Sequence, residues 1–198
     1  MILLLTLVVS CSKPEPVASE LMQIDSLLQH DPDSALLLLL GMDKACLVSS
    51  TANACVGALL LSEALYKTNN PQLNRYRNET FQETSLQDAM RYFDSLAFRY
   101  PDNDDITMLS ARAHYMNGVG FYENDSVVEA CKEYLHTLEI MEEHFDVENL
   151  TGYKAKFMAL TYGRLGDLFS DQFMVASAID CGKNHCFTAE LNQHQSMV

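Results

Sequence analysis

Few residues in this sequence are of types that do chemistry, and their spacing limits what they could do. Glu133 and His136 have the Glu-x-x-His spacing of one half of a di-iron ligand set. Such a site needs a second pair and two further glutamates from facing helices. The chain has no second copy of the pair, so His136 reads as a surface or groove residue. His114, in an apolar stretch, reads as a packed imidazole. Cys181, His185 and Cys186 form one cluster without the second ligand pair that a closed zinc site requires. No Gly-rich phosphate loop, nucleophile elbow or HExxH helix occurs. A Ser–His–Asp triad is assembled in space rather than along the chain, and nothing in the spacing points to one. The expectation is a chain without catalysis, cofactor or metal.

Composition narrows the remaining classes. The 198 residues are 48% apolar, enough to build a core of about one domain. Asp and Glu number 27 against 13 Lys and Arg, a formal net charge of -14. Phosphate binding rests on clustered Lys and Arg, so nucleic acid is excluded as the partner of this segment. Adhesion to anionic headgroups is disfavoured for the same reason. Eight Gly and five Pro are too few for a turn-rich chain of short strands, which leaves an all-α protein.

The N-terminus gives an expected address. Ile2 to Val9 is an apolar run of eight, too short to span a bilayer but as long as a signal-peptide h-region. Val8-Val9-Ser10-Cys11 follows and resembles a bacterial lipobox, although no Lys or Arg precedes the run. The resemblance implies acylation of Cys11, with residues 1–11 as signal peptide and lipobox. It places the protein in the cell envelope, on the outer membrane or a periplasm-facing membrane. Residues 12–20 then read as a linker stiffened by Pro14 and Pro16. Of the other cysteines, Cys55 and Cys131 read as small buried hydrophobes.

Helical punctuation runs through the rest. Leu21, Ile24, Leu27 and Leu28 make one apolar stripe. Asp31 can cap the next helix, with Pro32 at its first position. Ala35 to Leu40 is apolar all round and predicts a helix buried between neighbours, ended by Gly41. Ala54 to Tyr66 predicts another helix, and Leu73 to Ser85 a loop with partial helix.

Internal similarity is the strongest pattern. Asp25-Ser26-Leu27 with Pro32-Asp33 recurs as Asp94-Ser95-Leu96 with Pro101-Asp102, 69 positions on, close to twice a 34-residue helix–turn–helix period. From Ala111 to Leu138, Gly118 falls where a first helix must approach a second, Phe121 follows three later, and Ala130, Tyr134 and Leu138 lie on the second helix. Ala89, Phe93, Leu96 and Pro101 read as an earlier second helix. Tyr162, Leu165, Gly166, Phe169 and Ala178 read as a later unit, with openings at Ala111 and Ala159 spaced 48 apart instead of 34. These residues resemble the tetratricopeptide repeat (TPR) family, in irregular form. Together with the lipobox-like start, Asp-Pro-Asp-Ser-Ala-Leu and Gly-Tyr-Lys-Ala-Lys resemble a group of Bacteroidetes TPR lipoproteins and membrane sensors.

The resemblance implies a right-handed superhelical array of antiparallel helix pairs over residues 21–182, an α-solenoid whose closest crossings are at Gly118, Ala130 and Gly166. It implies a protein or peptide partner held in a groove on the first helices, lined by His114, Tyr115, Asn117, Phe121, Tyr122, Tyr162 and Arg164. Nine acids against the single Lys132 between Glu123 and Glu148 suit a solvated outer face, and alternatively a basic partner. The expected function is a non-catalytic scaffold or adaptor, lipid-anchored in the envelope. The alternative is the truncated extracytoplasmic sensor of a TPR membrane-bound transcriptional regulator. After Gly182 the periodicity dissolves. One permitted back-translation of residues 183–198, read two bases later, gives Lys-Pro-Leu-Phe-Tyr and would close a repeat helix, so this atypical tail is expected to be a frameshift product of a longer gene.

Overall fold

The structure is a computed structural model that describes residues 13–73, 76 and 84–171. Cys11, Ala178, the signal-peptide segment and the tail from 183 lie outside the described residues. Among the described residues the fold is all-α: eight helices and no strand.

Helices α1 (Ser19–Leu28) and α2 (Pro32–Gly41) form an N-terminal hairpin. α1 buries Leu21, Ile24 and Leu28, as its stripe predicts. Asp31 caps α2 by accepting from the Ser34 N–H at 3.0 Å, and Pro32 takes the first position, where a missing N–H leaves nothing unpaired. α2 is not enclosed, contrary to its composition. It packs on α1 and on α4 (Thr51–Lys67), burying Ala35, Leu36 and Leu39, while Leu37 and Leu38 stay more than half exposed. An apolar helix is enclosed only where neighbours stand on both sides of it.

The four-residue α3 (Lys44–Leu47) leads into α4, whose N-terminus is capped by the Ser50 hydroxyl. Asn53, buried in the first turn of α4, donates to the Ser49 hydroxyl at 2.8 Å and to the Cys46 carbonyl at 3.2 Å. Its carbonyl oxygen accepts from the Ala18 N–H at 2.8 Å, while Glu15 accepts from the Ala52 N–H at 3.2 Å. The chain before α1 is therefore pinned across the start of α4.

α5 (Leu86–Arg99) opens with a reciprocal cap between Ser85 and Asp88 and buries Ala89, Phe93 and Leu96. α6 (Asp104–Glu123), capped by Asn103, is the central element. It packs on α4, α5 and α7 (Val127–His144), and α7 packs on α8 (Gly152–Asp171). The α6–α7 turn passes through Asp125 at φ 57°, and a 3-10 turn at Val147–Asn149 precedes α8.

The α6–α7 crossing is close because of Gly118. A Cβ there would lie 2.8 Å from Tyr134 Cε1, 2.9 Å from Tyr134 Cδ1 and 3.3 Å from Glu133 Cβ. The Tyr134 ring is itself locked in the core against Tyr115, 5.5 Å between centroids. Ala130 and Leu138 are buried on the same helix as Tyr134, whereas Gly166 and Phe169 of α8 are half-buried.

Candidate functional site

α6 carries two buried cations two residues apart. A step of two residues turns a helix by about 200°, so their side chains leave on opposite faces. Arg112 is 5% exposed. Its Nε donates to Glu63 Oε1 at 2.7 Å, and its two terminal nitrogens donate to Asp25 at 2.7 and 3.0 Å in a bidentate pair. Lys67 adds a second cation to Glu63 at 3.2 Å, and the Tyr153 ring lies 5.9 Å from the guanidinium carbon. Burial alone would push the Glu63 carboxyl up, but Arg112 and Lys67 hold it below its ordinary value. The cluster joins α1, α4, α6 and α8 with its charges matched.

His114 leaves α6 on the other side. It is 8% exposed, with Nδ1 2.6 Å from Glu133 of α7 and Nε2 3.2 Å from Asp94 of α5. The Ser110 hydroxyl donates to the same Asp94 oxygen at 2.6 Å. Burial by itself lowers an imidazole pKa, but hydrogen bonds to Asp94 and Glu133 outweigh it and raise His114 to about 9. His136 stands edge-on to this ring, 4.4 Å between centroids, and pairs with Glu139 at 2.8 Å. The two duplicated aspartates, Asp25 and Asp94, thus both hold a cation of α6.

A cleft of about 830 Å³ opens beside Arg112. One wall is α1 and the pinned segment before it, with Glu15, Val17 and Met22. The other is α5 and the first half of α6, with Phe93, Ile106 and Leu109, and Tyr153 of α8 closes one end. Asp25 and Arg112 both reach its lining. Arg112 is already satisfied by two carboxylates, and the other lining cation, Lys154, is paired with Asp104 at 2.5 Å, so the cleft presents apolar walls and an acidic rim at Glu15 and Asp105.

This is not the groove expected from sequence. His114, Tyr115 and Asn117 are buried within the helix packing and are corrected from groove surface to interior. Tyr115 packs on Tyr134 and on Phe157 of α8, 5.4 Å between centroids. Phe121 is half-buried against the core and Tyr122 is exposed. Tyr162 donates to Glu142 at 2.8 Å on the α7 side, while Arg164 lies over the Tyr66 ring, 5.6 Å to its centroid, and donates to the Tyr66 oxygen. These seven residues therefore do not share one open face. Most acids between Glu123 and Glu148 are solvent-exposed, and Glu133 is turned inward by His114.

Sequence reading missed Arg112, Asp25 and Glu63. Glu63 alone in the apolar run 54–66 and Arg112 between Ala111 and Ala113 were the available signals, because a charge in such a setting needs a partner. Among the described residues no group of three His, Cys, Asp or Glu is placed to hold a metal ion, and no helix is long and apolar enough to cross a membrane. Cys46, Cys55 and Cys131 are free thiols, with Cys55 buried and its pKa pushed by burial to about 11. No protein-family model and no curated protein matches this chain.

Proposed function

We propose that this chain is a non-catalytic scaffold or adaptor, a TPR-like array of irregular helix pairs anchored in the cell envelope through acylated Cys11, and that it docks a basic protein or peptide segment. The observation that carries the reading is the cleft between α1 and α5–α6, with apolar walls, an acidic rim and an internally neutralised arginine at its side. An amphipathic basic segment matches both features: its apolar side chains meet Val17, Met22 and Leu109, and its cations meet Glu15 and Asp105. The array reading is supported by the order of packing, in which α4 meets α5 and α6, α6 meets α7, and α7 meets α8, the neighbour pattern of stacked hairpins.

The test is titration of the full chain with a fluorescent Lys/Leu amphipathic peptide and with its Glu/Leu counterpart. Met22 is 63% exposed, so Met22→Lys alters the cleft without disturbing the core. Binding of the basic peptide, about tenfold weaker in Met22→Lys at matched thermal stability, is expected. Equal affinity for the acidic peptide, or no loss in Met22→Lys, would overturn the reading.

A further inference from the structure

The segment that forms one wall of the cleft is also the segment that leads toward the anchor. Pro14, Glu15 and Val17 line the cleft, and Glu15 and Ala18 are tied to the start of α4 by the Ala52 N–H and the Asn53 side chain. Glu15 stands only four positions after Cys11. Fully extended, four residues reach about 14 Å. The opposite end of α6 stands much further off: from Asp105 at the cleft to Glu123 is about 27 Å at 1.5 Å per residue.

From this we infer that the cleft opens toward the membrane that carries the anchor, so that its occupant is a basic amphipathic segment of a protein borne on that same membrane. The inference rests on acylation of Cys11 as proposed above. A short tether fixes which part of the domain stays near the lipid, whatever attraction the protein's surface charge lacks for headgroups. Confinement of both partners to one surface raises their effective concentration, which lets a modest cleft bind without a large interface.

The chain contains no tryptophan, so one introduced indole reports from one place. Full-length acylated protein is reconstituted in phosphatidylcholine vesicles carrying a dansyl-headgroup lipid, with Met22→Trp at the cleft or Val128→Trp at the start of α7. Both positions are largely exposed, at 63% and 62%, so neither variant loads the core. Energy transfer to dansyl severalfold greater from Met22→Trp than from Val128→Trp is expected. An acylated Lys/Leu peptide without a spacer, placed in the same vesicles, is expected to shift the Met22→Trp emission. In protein whose acylation is verified by mass spectrometry and which binds the soluble basic peptide, equal transfer from both positions, or no shift with the vesicle-borne peptide, overturns this inference alone. Absence of acylation overturns the anchor reading and this inference with it.

Discussion

Arg112 and His114 sit on one helix, both buried, both cationic at neutral pH and each held by two carboxylates, yet they bind the fold together in different ways. Arg112 reaches partners 87 and 49 positions away, Asp25 and Glu63, and so joins the N-terminal hairpin to the rest of the molecule. His114 joins α6 to its sequence neighbours α5 and α7, through partners 20 and 19 positions away. One charge is permanent and the other titrates. The long-range junction, which also lines the cleft, is therefore insensitive to pH over the physiological range, while the short-range junction is not.

Removing the permanent charge should have the largest effect. Arg112→Met strands Glu63, 4% exposed, with only Lys67 for company, and breaking a buried pair from one side costs about 3–5 kcal/mol. Urea denaturation should show this loss. Because neutralising the stranded carboxylate removes much of the penalty, Arg112→Met with Glu63→Gln should recover a large part of it. If the double variant is as unstable as the single, Arg112 matters through packing and not through its charge.

How much of this was readable beforehand follows from the range of each interaction. The stripe of α1, the Asp31–Pro32 start of α2 and the buried Ala89, Phe93 and Leu96 of α5 were legible, because helix periodicity and caps are local signals. The α6–α7 approach at Gly118 and Tyr134 could be placed too, since both residues stand at fixed offsets about one helical hairpin. The Arg112 junction was not legible, because nothing near residue 112 identifies Asp25 or Glu63 as its partners. The same lack of long-range information misplaced His114, Tyr115 and Asn117 on a groove and enclosed Leu37 and Leu38: sequence states which residues can be buried, but tertiary neighbours decide which are.

The titrating junction should respond to pH. His114 has its folded-state value raised to about 9, above the unfolded value near 6.5. Its contribution is therefore complete below about pH 6.5 and is lost as pH rises through about 9, to a total of about 3 kcal/mol. Unfolding free energy of the native chain, compared with His114→Gln across pH 6 to 10, should show the two curves converging as pH rises. Parallel curves would mean that Asp94 and Glu133 hold His114 by shape and leave its charge without influence.

The two faces of α6 can also be compared without any charge, and here the expected effects are smallest but opposite in sign. Gly118 and Gly120 are again two residues apart. A methyl at Gly118 runs into the Tyr134 ring, which is 1% exposed and cannot swing aside, whereas a methyl at Gly120 meets nothing within 4 Å. Replacing glycine by alanine inside a helix gains about 0.5–1 kcal/mol of backbone entropy in either case. At Gly120 that gain stands alone, so Gly120→Ala should raise Tm. At Gly118 overpacking costs about 1–3 kcal/mol and outweighs it, so Gly118→Ala should lower Tm. Because propensity is identical at the two sites, a difference in sign isolates the α6–α7 crossing; equal stabilisation of both variants would mean that α7 stands further from α6 than Tyr134 places it.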